Sequence, residues 1–457
     1  MAIDKDKRIQ ELEDTVAKLL ERIAQLERRL GMNSENSSKP PSSDAPGSKA
    51  KKAKPANGKR NKKGAKKGHA KQNKELLSED RVNNLIELTP EICPNCGKTH
   101  FRDTNQPPLR DQFIDLPPIE PDVTEIRRPI MDCAACGQRT YAPLPPDTPK
   151  HVFGTGVVAM IGILTGVLNV SKRKAQLMMT KVFNVPISLG AVSSCEERLS
   201  RALETPYQEA LTAARSEKFG HADETSWPLG NLLKGWLWLL SNNDAAAFMV
   251  HQSRGQEAAH KILGDFSGTL VSDRWGGYNK YEGNRQLCWA HLRRDFKAVS
   301  QEQGWIGKTG KKLYNLAGKI LKSYKRVRDG CLKVDTFKRR ISKWRPQLER
   351  WLKQGASHGG DLSAKCREIF KCRQWLWTFV DHHGVEPTNN KAERDVRQGV
   401  LWRKGSFGVQ SQRGATYVER VLSVGATCRR QGKSVIQFFQ DACHAFHNNS
   451  PAPSLFG

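Results

Sequence analysis

Three acidic residues in different local settings have the types that metal-assisted phosphate chemistry needs: Asp223 in HADETSWPLG, Asp273 in GTLVSDRWGGYNKY and Glu393 in PTNNKAERDVRQGVLWRK. A hard divalent cation that keeps part of its water shell needs only a few protein carboxylates, because a phosphate supplies further oxygens. Each acid also has a plainer use. Asp273 can cap the turn that follows it, and Glu393 can complete a capping box with Asn390. Glu224, beside Asp223, is equally able to bind a cation, so the spacing alone does not choose between them.

Sulfur ligands form a second group. Cys93-Pro-Asn-Cys96-Gly and Cys133-Ala-Ala-Cys136-Gly are two CxxCG turns. Four thiolates satisfy tetrahedral Zn2+, and the glycine after each pair permits the tight turn that aims backbone amides at sulfur. A redox CxxC is expected singly, at a strand-to-helix junction, so the expectation here is a structural zinc ribbon. Cys288 and His291, in CWAHLRRDF, are a third ligand pair. A thiol and an imidazole three residues apart can share a metal. No further pair of ligands is evident beside them, although Cys366, Cys372, His382 and His383 follow. The preferred reading is structural, with CxxH packing an insertion against the core.

The elements that must position these groups differ along the chain. Ile9, Leu12, Val16, Leu19, Ile23, Leu26 and Leu30 alternate spacings of three and four, the seam of a short coiled coil, so self-association through residues 5–30 is expected. After it, NSENSSKPPSSD opens a stretch to about residue 75 that lacks apolar residues and cannot form a core. It reads as a solvated linker and equally as a basic arm along DNA phosphates. Residues 152–215 read as helices. A turn near Asn184-Val185-Pro186 and a helix beginning after Ser188 fit both a helix-turn-helix and an ordinary helical hairpin.

From about residue 217 the period changes. HADETSW, KGWLWLLSNN, AAAFMVHQSRG and GTLVSD are short apolar runs bounded by turn formers, with QEAAHKILGDF as a helix before the last. The order strand, strand, strand, helix, strand matches the start of a ribonuclease-H-like core. Residues 300–385 then read as a basic helical insertion carrying Trp305, Trp344, Trp351, Trp375 and Trp377.

Composition narrows the partners. Lys and Arg number 75 against 47 Asp and Glu in 457 residues, a formal charge of +28, which points to a polyanion such as nucleic acid. Arg293, Arg294, Arg394, Arg397, Arg403 and Lys404 flank the acids, as phosphate holders or as a solvated basic face. No lipidation motif or basic membrane anchor is evident. The uncharged run at residues 152–170 is long enough to span a membrane, but its four glycines and its basic context favour a buried helix. The charged first 30 residues lack a secretory pattern and the 11 cysteines do not suggest a disulfide framework, so a cytoplasmic location is expected.

Taken in order, the zipper seam, NSENSSKPPSSD, the paired CxxC turns, DETSW, VSDRWGGY, CWAHLRRDF, PTNNKAER and RKGSFG resemble the DDE transposases of the insertion-sequence-66 family, over almost the whole length. The resemblance implies that Asp223, Asp273 and Glu393 are the metal-binding triad of a ribonuclease-H-like fold, with two Mg2+ or Mn2+ ions. It implies cleavage of the ends of a mobile element and joining of the 3′-hydroxyls to target DNA. It also implies small companion proteins and a bacterial, nucleoid-associated setting. The alternative is an inactive zinc-containing DNA-binding regulator.

The expected architecture is multidomain α+β. It comprises a coiled coil (1–31), a basic linker (32–80), a zinc ribbon (85–150) and a helical DNA-binding region (151–215). A catalytic core (216–299 and 386–447) is interrupted by the insertion (300–385), and a tail follows (448–457).

Overall fold

The structure is a computed structural model describing residues 10–16, 19, 75–104, 106–145, 148, 151–230, 233–358 and 360–457. It forms two compact units, Ala50–Pro121 and a larger one of Met1–Lys49 with Asp122–Gly457. The described part of the smaller unit is irregular, without a strand, and has one short 3-10 turn at Glu79–Arg81. There the Gln112 amide accepts from Leu77 N at 2.8 Å and donates to Leu77 O at 2.9 Å, a side chain closing a pairing that no strand supplies.

In the larger unit residues 10–16 are helical, and Leu12, Val16 and Leu19 are exposed. The rest of the expected seam, Ile9, Ile23, Leu26 and Leu30, and the basic stretch 32–74 lie outside the described residues. A two-residue hairpin, β1 (Met131–Asp132) with β2 (Arg139–Thr140), brackets the second CxxCG turn.

Four helices follow: α1 (Thr155–Gly162), α2 (Lys172–Lys181), α3 (Leu189–Ala202) and α4 (Glu204–Ser216). A π-helical turn, Ile163–Val167, prolongs α1. Ser171 and Ser188 accept from backbone amides three residues on and so start α2 and α3. Val158, Ile161 and Leu164, from the apolar stretch, are buried against Leu199 and Phe439 in one cluster. A Cβ on Gly162 would lie 2.1 Å from Leu199 Cδ2, so α1 and α3 meet at a distance only glycine allows. Among the described residues no helix is long and apolar enough to cross a membrane.

A five-stranded sheet makes the centre, in the order β5 (Ala246–His251), β4 (Trp236–Ser241), β3 (Phe219–Ser226), β6 (Thr269–Ser272), β7 (Arg285–Leu287). The first three strands are antiparallel neighbours, whereas β6 runs parallel to β3 and β7 parallel to β6. α5 (Gln256–Leu263) makes the crossover that a parallel pair requires. Side chains alternate between the two faces. Leu237, Leu239 and Phe248 face the cluster built on α1, α3, α12 (Gln412–Arg430) and α13 (Val435–His447). Ala222, Trp238, Leu240 and Met249 face α5 on the other side. Each large apolar side chain buried this way contributes about 1.5–3 kcal/mol.

After β7 come α6 (Trp289–Val299), the long helices α7 (Gly304–Arg328) and α8 (Val334–Ala356), then α9 (Gly360–Lys371) and the short α10 (Thr378–Asp381). These enclose a separate apolar cluster with Trp289 and Trp377 at its centre. Trp344, Trp351 and Trp375 pack against it, and the more exposed Trp305 stacks on His358. The chain then returns to the sheet through α11 (Asn390–Ser406). A Cβ on Gly399 would come 2.2 Å from Leu237 Cδ2, so this helix lies directly on the strands.

Candidate active site beside a pair of parallel strands

β3 and β6 pair in parallel as Phe219 with Thr269, Gly220 with Leu270 and His221 with Val271. Carrying that register on by two residues sets Asp223 opposite Asp273. Both aspartates therefore share one face just past the last paired residues of the parallel ladder, Asp223 as the fifth of the eight residues of β3 and Asp273 directly after β6. Glu393 reaches the same region from the first turn of α11, and its charge is felt at Asp223. The Asp223 carboxyl is pushed well above the usual range by burial, then by Glu224, Asp273 and Glu393. The Asp273 carboxyl is raised by burial as well, against the opposing pull of the Trp275 backbone amide and of Arg254, Arg274 and Arg285. Trp275 N donates to Asp273 Oδ1 at 2.8 Å, so this acid does brace the following turn, as its plainer reading expects.

The neighbouring Glu224 has a different fate. It alternates to the opposite face, where Arg254 Nη2 and Nε donate to its Oε1 at 2.8 and 3.0 Å and Tyr278 Oη donates to its Oε2 at 2.8 Å. Burial, with Asp273 adding to it, raises its carboxyl to about 7, against the pull of Arg254. Both of its oxygens are occupied by protein donors.

Asn389 anchors the helix that carries Glu393. Its side chain makes no cap; instead Nδ2 donates to Ala222 O at 2.7 Å, and Oδ1 lies 3.1 Å from His221 Nδ1. Its backbone amide donates to Cys288 Sγ at 3.1 Å. One buried asparagine thus ties α11 to β3, one residue before Asp223, and to the start of α6. The helix start lies at Asn389, and Glu393 is engaged by Arg294 Nη2 at 3.1 Å. The capping-box use with Asn390 is not made.

Cys288 is the residue before α6, with its thiol pushed up to about 11 by burial. His291 Nδ1 lies 3.5 Å from Glu393 Oε1, and burial lowers the ring to about 3. Cys288, His291 and Glu393 offer ligand atoms that all lie within 4.8 Å of one another. Among the described residues Cys366, Cys372, His382 and His383 do not join that group.

The basic residues divide. Arg403 Nη1 is taken up by Thr225 Oγ1 at 3.2 Å and by Ser226 O and Oγ, holding the end of β3. Arg293 donates to Tyr314 Oη at 2.6 Å and fixes the insertion. Arg394, Arg397 and Lys404 are exposed on α11, without a hydrogen bond or ion pair among the described residues. A cleft of about 370 Å³ beside them is lined by Lys391, Arg394, Arg429 and Arg430, three of which the sequence motifs did not single out.

Each CxxCG turn is folded by itself. Gly97 N donates to Cys93 O and Cys93 N to Lys98 O; Gly137 N and Cys133 N repeat the pattern with Cys133 O and Gln138 O. Gly97 and Gly137 both have φ of +70°, the left-handed backbone that favours glycine. Backbone amides within each turn lower the Cys93 and Cys133 thiols.

The sequence model of the family described as "Transposase IS66 family" matches residues 152–417, more than half of the chain's 457 residues. A family of unknown function (DUF6444) matches residues 4–75. The uncharacterized protein y4qI of Sinorhizobium fredii is 26% identical over 269 residues, covering 51% of this chain and 49% of its own length. A second uncharacterized protein of that organism, y4hP, is 23% identical over 376 residues, covering 74% of this chain and 68% of its own. The match thus spans about half the length of the first relative and two thirds of the second.

Proposed function

Because the chain belongs to the IS66 transposase family, we propose that it cuts the ends of a DNA element and joins the freed 3′-hydroxyls to target DNA, with Asp223, Asp273 and Glu393 as its metal ligands. The observation that carries this reading is the parallel register that aligns the two aspartates, with Glu393 near enough to raise the Asp223 carboxyl. The strand order, with three antiparallel strands followed by two parallel ones, supports a ribonuclease-H-like core.

The donor set fits hard divalent cations. Burial raises the Asp223 carboxyl first and Glu224, Asp273 and Glu393 add to the rise, a burden that a bound cation would relieve. Two Mg2+ or Mn2+ ions, when bound, would supply charge to the attacking and leaving oxygens of an in-line displacement. The chain's own residues do the positioning. Asp223 is set within β3 and Asp273 directly after β6, Asn389 holds the Glu393 helix against β3, and Arg294 holds Glu393 from α6 until a cation draws it away. Arg394, Arg397 and Lys404, free on the outer face of α11, suit phosphates of the bound strand. In cleavage, a water oxygen bonds to phosphorus as the P–O3′ bond breaks. In joining, the freed 3′-oxygen bonds to a target phosphorus and a target 3′-oxygen leaves. No covalent enzyme intermediate is needed.

Two accessory features complete the reading. Cys93 with Cys96 and Cys133 with Cys136 would each give a pair of thiolates to structural Zn2+, supported by the amide pattern and glycine backbone of each turn. The exposed apolar Leu12, Val16 and Leu19 on a helical segment suit a coiled-coil partner copy, and smaller companion proteins complete the machine. Incubating the purified chain with element-end duplex and Mg2+ tests the proposal. Strand nicking by the wild type and none by Asp273→Asn supports it. End-specific binding with no nicking by either protein would favour the regulator.

A further inference from the structure

Cys288 and His291 lie one helical turn apart at the start of α6, against the first turn of α11. The Cys288 sulfur receives the Asn389 amide at 3.1 Å, although burial is the larger influence and raises its thiol. His291 Nδ1 is buried and has no hydrogen-bond partner, a cost a fold seldom bears without a use. It looks across 3.5 Å at Glu393 Oε1. That gap is close to the roughly 3.3–3.4 Å edge of a tetrahedron with bonds of about 2.0–2.1 Å to nitrogen and oxygen.

We propose that Cys288, His291 and Glu393 form a second metal site, selective for Zn2+, that takes Glu393 from the Asp223–Asp273 pair and thereby switches cleavage off. The switch, though not the zinc site, rests on the function proposed above. Ligand chemistry separates the two sites. Thiolate and imidazole suit Zn2+, whereas oxygen ligands suit Mg2+. Zinc binding at this site displaces the Cys288 thiol proton to solvent, with no change of oxidation state. Glu393 is the hinge of the competition, since it has one side chain and Arg294 already occupies its Oε1. Drawn toward α6, it no longer completes the oxygen set. Three protein ligands leave the fourth zinc position to water.

The test counts metal and measures cleavage on the full chain. Wild type, Cys288→Ser and His291→Gln are equilibrated with Zn2+ and washed, and bound zinc is measured by elemental analysis. The wild type is expected to hold one zinc more per chain than either variant. Loss of a direct ligand lowers affinity by more than the ~10–100-fold that outer-shell changes cost. Equal zinc content in all three overturns the site. Two variants are used so that a folding failure in one, seen by circular dichroism, leaves the other to decide. In the second arm, Zn2+ is added to Mg2+-dependent nicking of element-end DNA. Expected is suppression of the wild type, reversed by a chelator, with the ratio of rates with and without zinc close to one in the variants. Extra zinc with undiminished nicking overturns the sharing of Glu393. Absence of nicking in Mg2+ alone would count against the proposed function instead, and the zinc count would still decide the site.

Discussion

Within β3 two adjacent carboxyls face opposite sides of the sheet and meet opposite treatment. Glu224 is met on one face by Arg254 and Tyr278, which satisfy both of its oxygens. Asp223, on the other face, has only the amide of Glu224 at 3.0 Å and the company of two further acids. A carboxylate whose partners are built into the fold serves the fold. One that is buried and crowded by like charge beside the parallel pair is the one that the proposed function gives to a cation. The alternation of a strand makes the difference, because a shift of one residue moves a side chain to the other face.

The strongest way to break this contrast is to neutralise each acid in turn. Asp273→Asn should lower nicking by at least about a thousandfold, roughly 4 kcal/mol in barrier height, with no loss of melting temperature. Glu224→Gln should stay within about tenfold of the wild-type rate. Folded Glu224→Gln that does not nick would erase the distinction.

Stability should sort the same residues in reverse. Glu224→Ala strips the buried Tyr278 hydroxyl and Arg254 of their acceptor and leaves a void, for a loss of about 3 kcal/mol by urea unfolding. Glu224→Gln, which keeps an acceptor, should lie near the wild type at pH 7.

The pH dependence follows from the direction of the shift. The folded value of Glu224, about 7, stands above its ordinary 4.5, so the folded state holds the proton more tightly than the unfolded state. Its contribution is present below pH 4.5 and is lost as pH rises through about 7, by on the order of 3 kcal/mol at most. The divalent-free protein should therefore weaken across that window in denaturant titrations, and Glu224→Gln should flatten the curve. A wild-type curve that rises with pH there, and is unchanged in the variant, would contradict the direction.

The smallest effects belong to the arginines. Arg394→Ala should reduce the salt slope of DNA binding by about one, as loss of one phosphate contact does. Arg403→Ala should leave the slope alone and loosen the end of β3, which its guanidinium holds. Binding isotherms at several salt concentrations separate the two.

Much of this arrangement was legible in the sequence because it is local. The acids sit in short motifs, the strand runs are bounded by turn formers, and Ser188 announces a helix start. What escaped depends on contacts between distant residues. The capping box is read at Asn390, and nothing marks Asn389, whose side chain spends its bonds on Ala222 and His221, more than 160 residues away in sequence. Arg254 and Tyr278, which separate Glu224 from Asp223, carry no motif that points back to β3. The strand β7, only Arg285–Leu287, is too short for alternation to show. The family resemblance groups Glu393 with Asp223 and Asp273, whereas its nearness to Cys288 and His291 arises only when α6 and α11 meet.

The most direct test of the central claim is a crystal structure of the chain with Mn2+, collected at the manganese edge. The account predicts anomalous density between Asp223 and Asp273, with oxygens of both and of Glu393 as ligands at roughly 2.0–2.3 Å. Density at Glu224 instead, or a rigid site in which Glu393 stays on Arg294 and away from the ion, would contradict it.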